Sequence, residues 1–275
     1  MKKVAIVYDF DKTLCTKDMQ EYSLIPSLGY ENTVDFWNEV TEVAQRNEMD
    51  SISAYLYLLQ KKFEEHGQPL KKESFYDIGK DIVLFDGVEE WFSRINEYGR
   101  KAGFLVEHYI ISSGMREIIK STSIAERFKK IFACRYYYDD ETHCAKWPAQ
   151  VVNYTAKTQY IFRINKQVLD ITDDASLNKY VPKSERPIPF ERMIYVADGL
   201  TDVPCMRLVK DYGGKSIAVY SKSDAIAKQL KKEGRVNFIA KADYTENSEM
   251  DILVKKILDH MKSDEALLDL EGDKA

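Results

Sequence analysis

Five short apolar runs, each giving way to polar residues, constrain this chain more than any other feature. Val4-Ala5-Ile6-Val7-Tyr8 leads into Asp9, and Tyr109-Ile110-Ile111 leads into Ser112-Ser113-Gly114. Residues 193–197 lead into Asp198-Gly199, 216–220 into Ser221, and 236–240 into Lys241. Continuous runs of this length, rich in β-branched residues, read as strands buried on both faces. Amphipathic stretches at helical spacing lie between them, at 88–100, 116–130 and 224–233. Strands alternating with helices predict a parallel sheet covered on both sides, an α/β core of the Rossmann-like type.

Residues 16–85 interrupt the alternation. They hold no clear strand but two helical patterns, one through Val34, Trp37, Val40 and Val43, the other through Ala54, Leu58, Leu59 and Phe63. His66-Gly67-Gln68-Pro69 reads as a helix stop. The economical division is a core of 1–15 and 86–275 with a helical unit, 16–85, inserted after the first strand. The aromatic residues of that unit are expected in its own core. Two further elaborations are expected: a β-hairpin within 134–155 and a proline-marked loop at 182–190. The acidic tail, 264–275, is expected to fray.

Composition excludes several classes. Forty basic residues against 45 acidic ones give a net charge of −5, so the surface offers no broad basic face for nucleic acid. No apolar stretch approaches a membrane span. The first apolar run is too short for a secretion signal, so a cytoplasmic location is expected. The four cysteines form no Cys-x-x-Cys pair and read as free thiols. Gly213-Gly214-Lys215-Ser216 lacks the earlier glycine of a phosphate-binding loop, since Val209 stands there, and it leads into a strand; it reads as a turn.

In a parallel sheet, functional groups gather at the carboxyl ends of strands. Three of the ends carry groups suited to one reaction: Asp9-Phe10-Asp11, Ser112, and Asp198 with Asp202 four residues on. Asp9 and Asp198 could reach one magnesium ion, a hard cation that takes oxygen ligands and keeps several waters. Asp9 could attack phosphorus, and Asp11 could protonate the leaving oxygen and then deprotonate water. A lysine is also needed to neutralise the nucleophile and the transferring phosphoryl group.

These residues resemble the haloacid dehalogenase-like hydrolases. Asp9-Phe10-Asp11-Lys12-Thr13 resembles the first motif of that family, Ile111-Ser112 the second, and Asp198-Gly199-Leu200-Thr201-Asp202 the fourth. The resemblance implies Asp9 as nucleophile and metal ligand, and Asp11 as general acid/base with its carbonyl on the metal. It implies Thr13 as a loop-orienting residue beside the phosphate, and Ser112 with the Ser113 amide as phosphate ligands. Asp198 and Asp202 would serve the Mg2+ ion, Asp202 directly or through water. The lysine of the third motif falls best on Lys157, with Lys146 as runner-up. The helical insertion resembles the C1 cap of phosphoserine phosphatase-like members, which implies substrate contacts from it, Asp18 among them.

This chain departs from phosphoserine phosphatases in two places. Asp18, with Glu21 beyond, stands where they carry a glutamate, and Ser113 stands where they carry glycine. Phosphoserine is therefore not the expected substrate. Hydrolysis of a small phosphorylated metabolite is expected, with transfer to another acceptor, or binding without catalysis, as alternatives. Asp11 argues against the dehalogenase branch, which does not use an acid there.

Overall fold

The computed structural model describes residues 1–272. One sheet of seven strands runs in the order β4-β3-β2-β1-β5-β6-β7. The strands are β1 (Lys2–Tyr8), β2 (Phe104–Met115), β3 (Lys130–Tyr138), β4 (Ala145–Gln150), β5 (Met193–Ala197), β6 (Lys215–Tyr220) and β7 (Phe238–Lys241). Every pairing is parallel except β3 with β4. Val4 to Tyr8 are wholly inaccessible, as both sides of a central parallel strand must be. The strand β1 lies between β2 and β5, and the sheet order reverses there. Crossovers diverge at such a point and leave a crevice at the carboxyl ends.

Helices α1 (Leu24–Ser27), α2 (Thr33–Asn47), α3 (Ser51–Glu65) and α4 (Tyr76–Lys80) all fall between β1 and β2. Asn32 caps α2 by accepting from the Val34 amide, and Asp50 caps α3 by accepting from the Ile52 and Ser53 amides. The other helices are α5 (Val88–Lys101), α6 (Arg116–Lys120), α7 (Lys157–Lys166), α8 (Asp174–Asn178), α9 (Val203–Asp211), α10 (Ala225–Lys232) and α11 (Glu249–Gly272). Among the described residues, no helix is long and apolar enough to cross a membrane.

The segment between β1 and α5 enters and leaves through a narrow neck. Cys15 and Leu84 form an antiparallel bridge, the Thr16 amide donates to the Val83 carbonyl (3.0 Å), and the Phe85 amide donates to the Leu14 carbonyl (3.0 Å). The β3–β4 hairpin props the same segment from the other side. The Tyr136 hydroxyl donates to the Leu56 carbonyl in α3, and the Ala145 amide donates to the Leu70 carbonyl at 2.7 Å.

Two expectations need correction. The apolar positions at 116–130 suit one helix, but α6 stops at Lys120. There the Ser121 hydroxyl donates to the Glu117 and Ile118 carbonyls, and Lys130 already opens β3. Serine hydroxyls compete with the helical ladder in this way. The hairpin expected within 134–155 is present, residues 135–138 of β3 pairing antiparallel with β4, while the first half of β3 is a core strand beside β2. The acidic tail does not fray within the described residues. It continues α11, with Lys2 paired to Glu265 (2.7 Å) and Asp269 (2.8 Å) and Arg192 to Glu265 (3.3 Å). Residues 273–275 lie outside the described residues.

Candidate active site

A cavity of about 360 Å³ opens at the carboxyl ends of β1, β2 and β5. Asp9 follows β1 directly, its amide still in the ladder through the Val196 carbonyl (3.0 Å). Its Oδ1 accepts from the Phe10 amide at 2.8 Å. The chain then turns around the Phe10 carbonyl, which accepts from the amides of Thr13, Leu14 and Cys15. Lys12 takes a positive φ of 52° to make the turn. The turn returns Asp11 to the cavity, where its Oδ1 accepts from the Met19 amide at 2.7 Å.

Behind this wall lies a closed charge network. Lys157, fully buried at the start of α7, donates to Asp202 Oδ1 at 2.8 Å and stands 3.5 Å from Asp9 Oδ2. The Tyr195 hydroxyl donates to the same Asp202 oxygen (2.5 Å), and the Thr201 hydroxyl donates to the other (2.9 Å). Both oxygens of Asp202 are therefore occupied by protein donors.

Burial, followed by the nearby Asp202 charge, raises the Asp9 pKa well above the usual carboxylate range, with Lys157 opposing in part. Burial and then Asp18 raise Asp11, against the Met19 amide. Burial, then Asp202, pushes Asp198 up to about 7. For Lys157 burial acts downward, but Asp202 and Asp9 outweigh it, and its pKa is raised so that the ammonium persists.

Asp9, Asp11 and Asp198 line one cavity and offer oxygen donors only, in surroundings short of positive charge; this suits a hard divalent cation. Among the described residues, no three His, Cys, Asp or Glu side chains are already grouped as a metal cage. A magnesium site does not need that, because waters and backbone carbonyls fill most of its octahedron.

The expected residues divide into three sets. Asp9, Asp11, Asp18, Ser113 and Asp198 line the cavity. Lys157 and Asp202 stand behind it in contact with Asp9 or with each other. Thr13 and Ser112 are fully buried and lie outside the lining. The Thr13 carbonyl accepts from the Tyr244 hydroxyl, and Ser112 Oγ accepts from the Gly114 amide at 3.0 Å. Asp202 is fully buried and stands outside the lining, with both oxygens accepting from protein donors. Lys146 is exposed on β4 and lines a different cavity, beside Trp147 and Tyr57.

Sequence reasoning missed Gln20, Trp37, Ile52 and Tyr55, which complete the cavity wall from the inserted segment. The apolar periodicity of α2 and α3 pointed Trp37 and Tyr55 to a helical core, and nothing in Gln20's position marks it. Gly114 is also specific to the site. A Cβ there would lie 2.1 Å from Met19 Cε and 3.1 Å from Asp11 Oδ2.

The model of the haloacid dehalogenase-like hydrolase family matches residues 6–207. An uncharacterized protein of Borreliella burgdorferi is 31% identical over 279 residues, covering 90% of this chain and 93% of its own. Among solved structures, a HAD family hydrolase from Salmonella enterica serovar Typhi superposes with a TM-score of 0.59 at 16% identity, covering 92% of this chain and 70% of that one. A phosphoserine phosphatase solved as a phospho-aspartyl intermediate analogue gives 0.53 at 19% identity, covering 93% and 99%. At these identities the structural likeness concerns the fold.

Proposed function

The chain belongs to the haloacid dehalogenase-like hydrolase family, and on that premise we propose that it hydrolyses a phosphate monoester with Asp9 as the nucleophile. The observation that carries this reading is the placement of Asp9. Its carboxylate is at the end of the central strand, in a cavity shared with Asp11 and Asp198, and the buried Lys157 ammonium stands 3.5 Å away. Asp9 Oδ2 attacks phosphorus, the P–O bond to the alcohol breaks, and the leaving oxygen takes a proton from Asp11. Asp11 then removes a proton from water, which attacks the aspartyl-phosphate and frees inorganic phosphate.

Asp9 and Asp198 would hold a magnesium ion with the Asp11 carbonyl, and the ion, when bound, screens the repulsion between carboxylate and phosphate. Asp202 holds Lys157 in place instead of binding metal. Ser113 presents to the cavity a buried hydroxyl with no partner of its own, suited to a phosphate oxygen. In the same reading 16–85 is a cap that closes over the site and keeps water out, and 1–15 with 86–275 is the catalytic core.

Magnesium-dependent release of phosphate from p-nitrophenyl phosphate tests the proposal. The activity should vanish with chelator and in Asp9→Asn; full activity in that variant would remove Asp9 from the role. Phosphate recovered on an added alcohol would mark a transferase instead.

A further inference from the structure

The inserted segment decides what can lie next to the phosphate. It contributes Gln20, Trp37, Ile52 and Tyr55 to the cavity wall. Outside the acidic cluster, the charged lining residues are Lys12 and Asp18, and they pair with each other at 2.5 Å. Among the described residues, the wall outside the acidic cluster therefore keeps no unpaired cation for a substrate carboxylate and no unpaired anion for a substrate ammonium. Burying either charge without a partner is strongly unfavourable.

In place of charge the wall offers the Trp37 ring, against which the 1% exposed Tyr55 ring packs, and two unused polar atoms. The Trp37 and Tyr55 ring centroids are 5.6 Å apart, with their planes tilted by 44°. The Tyr55 hydroxyl accepts from Gln20 Nε2 at 3.3 Å, which fixes one end of the Gln20 amide. The other end, Oε1, has no partner, and neither has the Trp37 indole N–H. Gln20 is only 3% exposed. Buried polar atoms left unpaired are unfavourable. Both atoms are closed to water, so a ligand edge brought against this wall is a source of the partners they lack.

We propose that the ester taken by this site has an uncharged alcohol bearing a flat ring whose edge both donates and accepts hydrogen bonds. The ring lies along Trp37, which Tyr55 backs, and its edge meets the Gln20 amide and the Trp37 N–H. The inference rests on the phosphatase reading and names the substrate class for the same cavity. Its volume of about 360 Å³ falls in the range of small-molecule pockets and leaves room beside the phosphate for such a ring.

Steady-state phosphate release with magnesium, from four esters, provides the test: uridine 5′-monophosphate, benzyl phosphate, phosphoserine and phosphocholine. The expected order of kcat/KM is the nucleotide, then benzyl phosphate, then the two charged esters at least about tenfold lower. Gln20→Met keeps the volume and removes the amide, and it should shrink the nucleotide-to-benzyl ratio by about tenfold. Trp37→Phe, which keeps a ring and loses the N–H, should shrink the same ratio. Trp37→Leu should lower both ring esters together.

A preference for phosphoserine or phosphocholine overturns the inference and leaves the phosphatase reading standing. So does a ratio that Gln20→Met does not move. If no ester is hydrolysed, p-nitrophenyl phosphate included, the phosphatase reading falls and takes this inference with it. Should a variant fail to fold, the order of the four esters with the wild type decides alone.

Discussion

Replacing Lys157 with Met exposes how the site is held together. The lysine is fully buried, 2.8 Å from Asp202 and 3.5 Å from Asp9, and Asp202 is itself fully buried. At an effective dielectric constant of about 20, Coulomb attraction is roughly 6 kcal/mol at the shorter distance and roughly 5 kcal/mol at the longer one. Desolvation of three charges offsets most of this, so the pair adds little over an apolar replacement. Removing one partner is a different matter, because it leaves two carboxylates buried around an apolar methionine. The expected loss is roughly 3–5 kcal/mol in urea unfolding at pH 7. Lys157→Met with Asp202→Asn should recover more than half, because the amide still accepts from Tyr195 and brings no charge. A single variant less than about 1 kcal/mol below wild type would refute the reasoning, as would a double variant whose losses simply add.

Three further outcomes follow from the same structure. His108 is buried between the Tyr8 hydroxyl (3.0 Å from Nδ1) and Asn96 Oδ1 (3.0 Å from Nε2), and burial lowers its pKa to about 3. The unfolded chain then binds a proton that the folded one refuses. Stability should therefore fall by up to about 1.4 kcal/mol per pH unit as pH drops below about 6.5, and urea titrations of wild type against His108→Gln should differ by that slope. Gly114→Ala forces its Cβ onto Met19, whose amide holds Asp11; a cost of about 1–3 kcal/mol in thermal unfolding and a clear fall in kcat are expected. Asp251, fully buried, accepts from Arg94, Lys255 and the Asn247 amide and so ties α11 to α5. Asp251→Ala should cost roughly 3 kcal/mol by urea unfolding.

The core was legible because each apolar run is continuous and ends in a polar residue that the sheet order brings to one edge. Asp9, Asp11 and Asp198 could be placed together for that reason, and Lys157 because the family resemblance implies a lysine at a helix start and a helical pattern begins there. The missed elements had ambiguous signals. Ile118, Ile119, Ile124 and Phe128 suit one helix as well as a helix, a turn and the approach to a strand. The competing hydroxyls of Ser121 and Thr122 mark the stop where α6 ends. Strand β7 opens at Phe238, two residues later than its apolar run. Gln20, Trp37 and Tyr55 reach the cavity through tertiary folding of the inserted segment, which helical periodicity does not encode.

The bridge between Cys15 and Leu84 has a consequence for how such a chain can change over time. The two ends of the inserted segment are clasped side by side, so the sheet meets the same boundary whatever lies beyond the clasp. Lengthening a loop adds little closure entropy. The loops of this segment, away from Met19, Leu56 and Leu70, can therefore be lengthened with small effect on the strands beneath. The carboxylates at the strand ends stay fixed while the wall facing them is rewritten, and new preferences can arise in one part of the gene without disturbing the other.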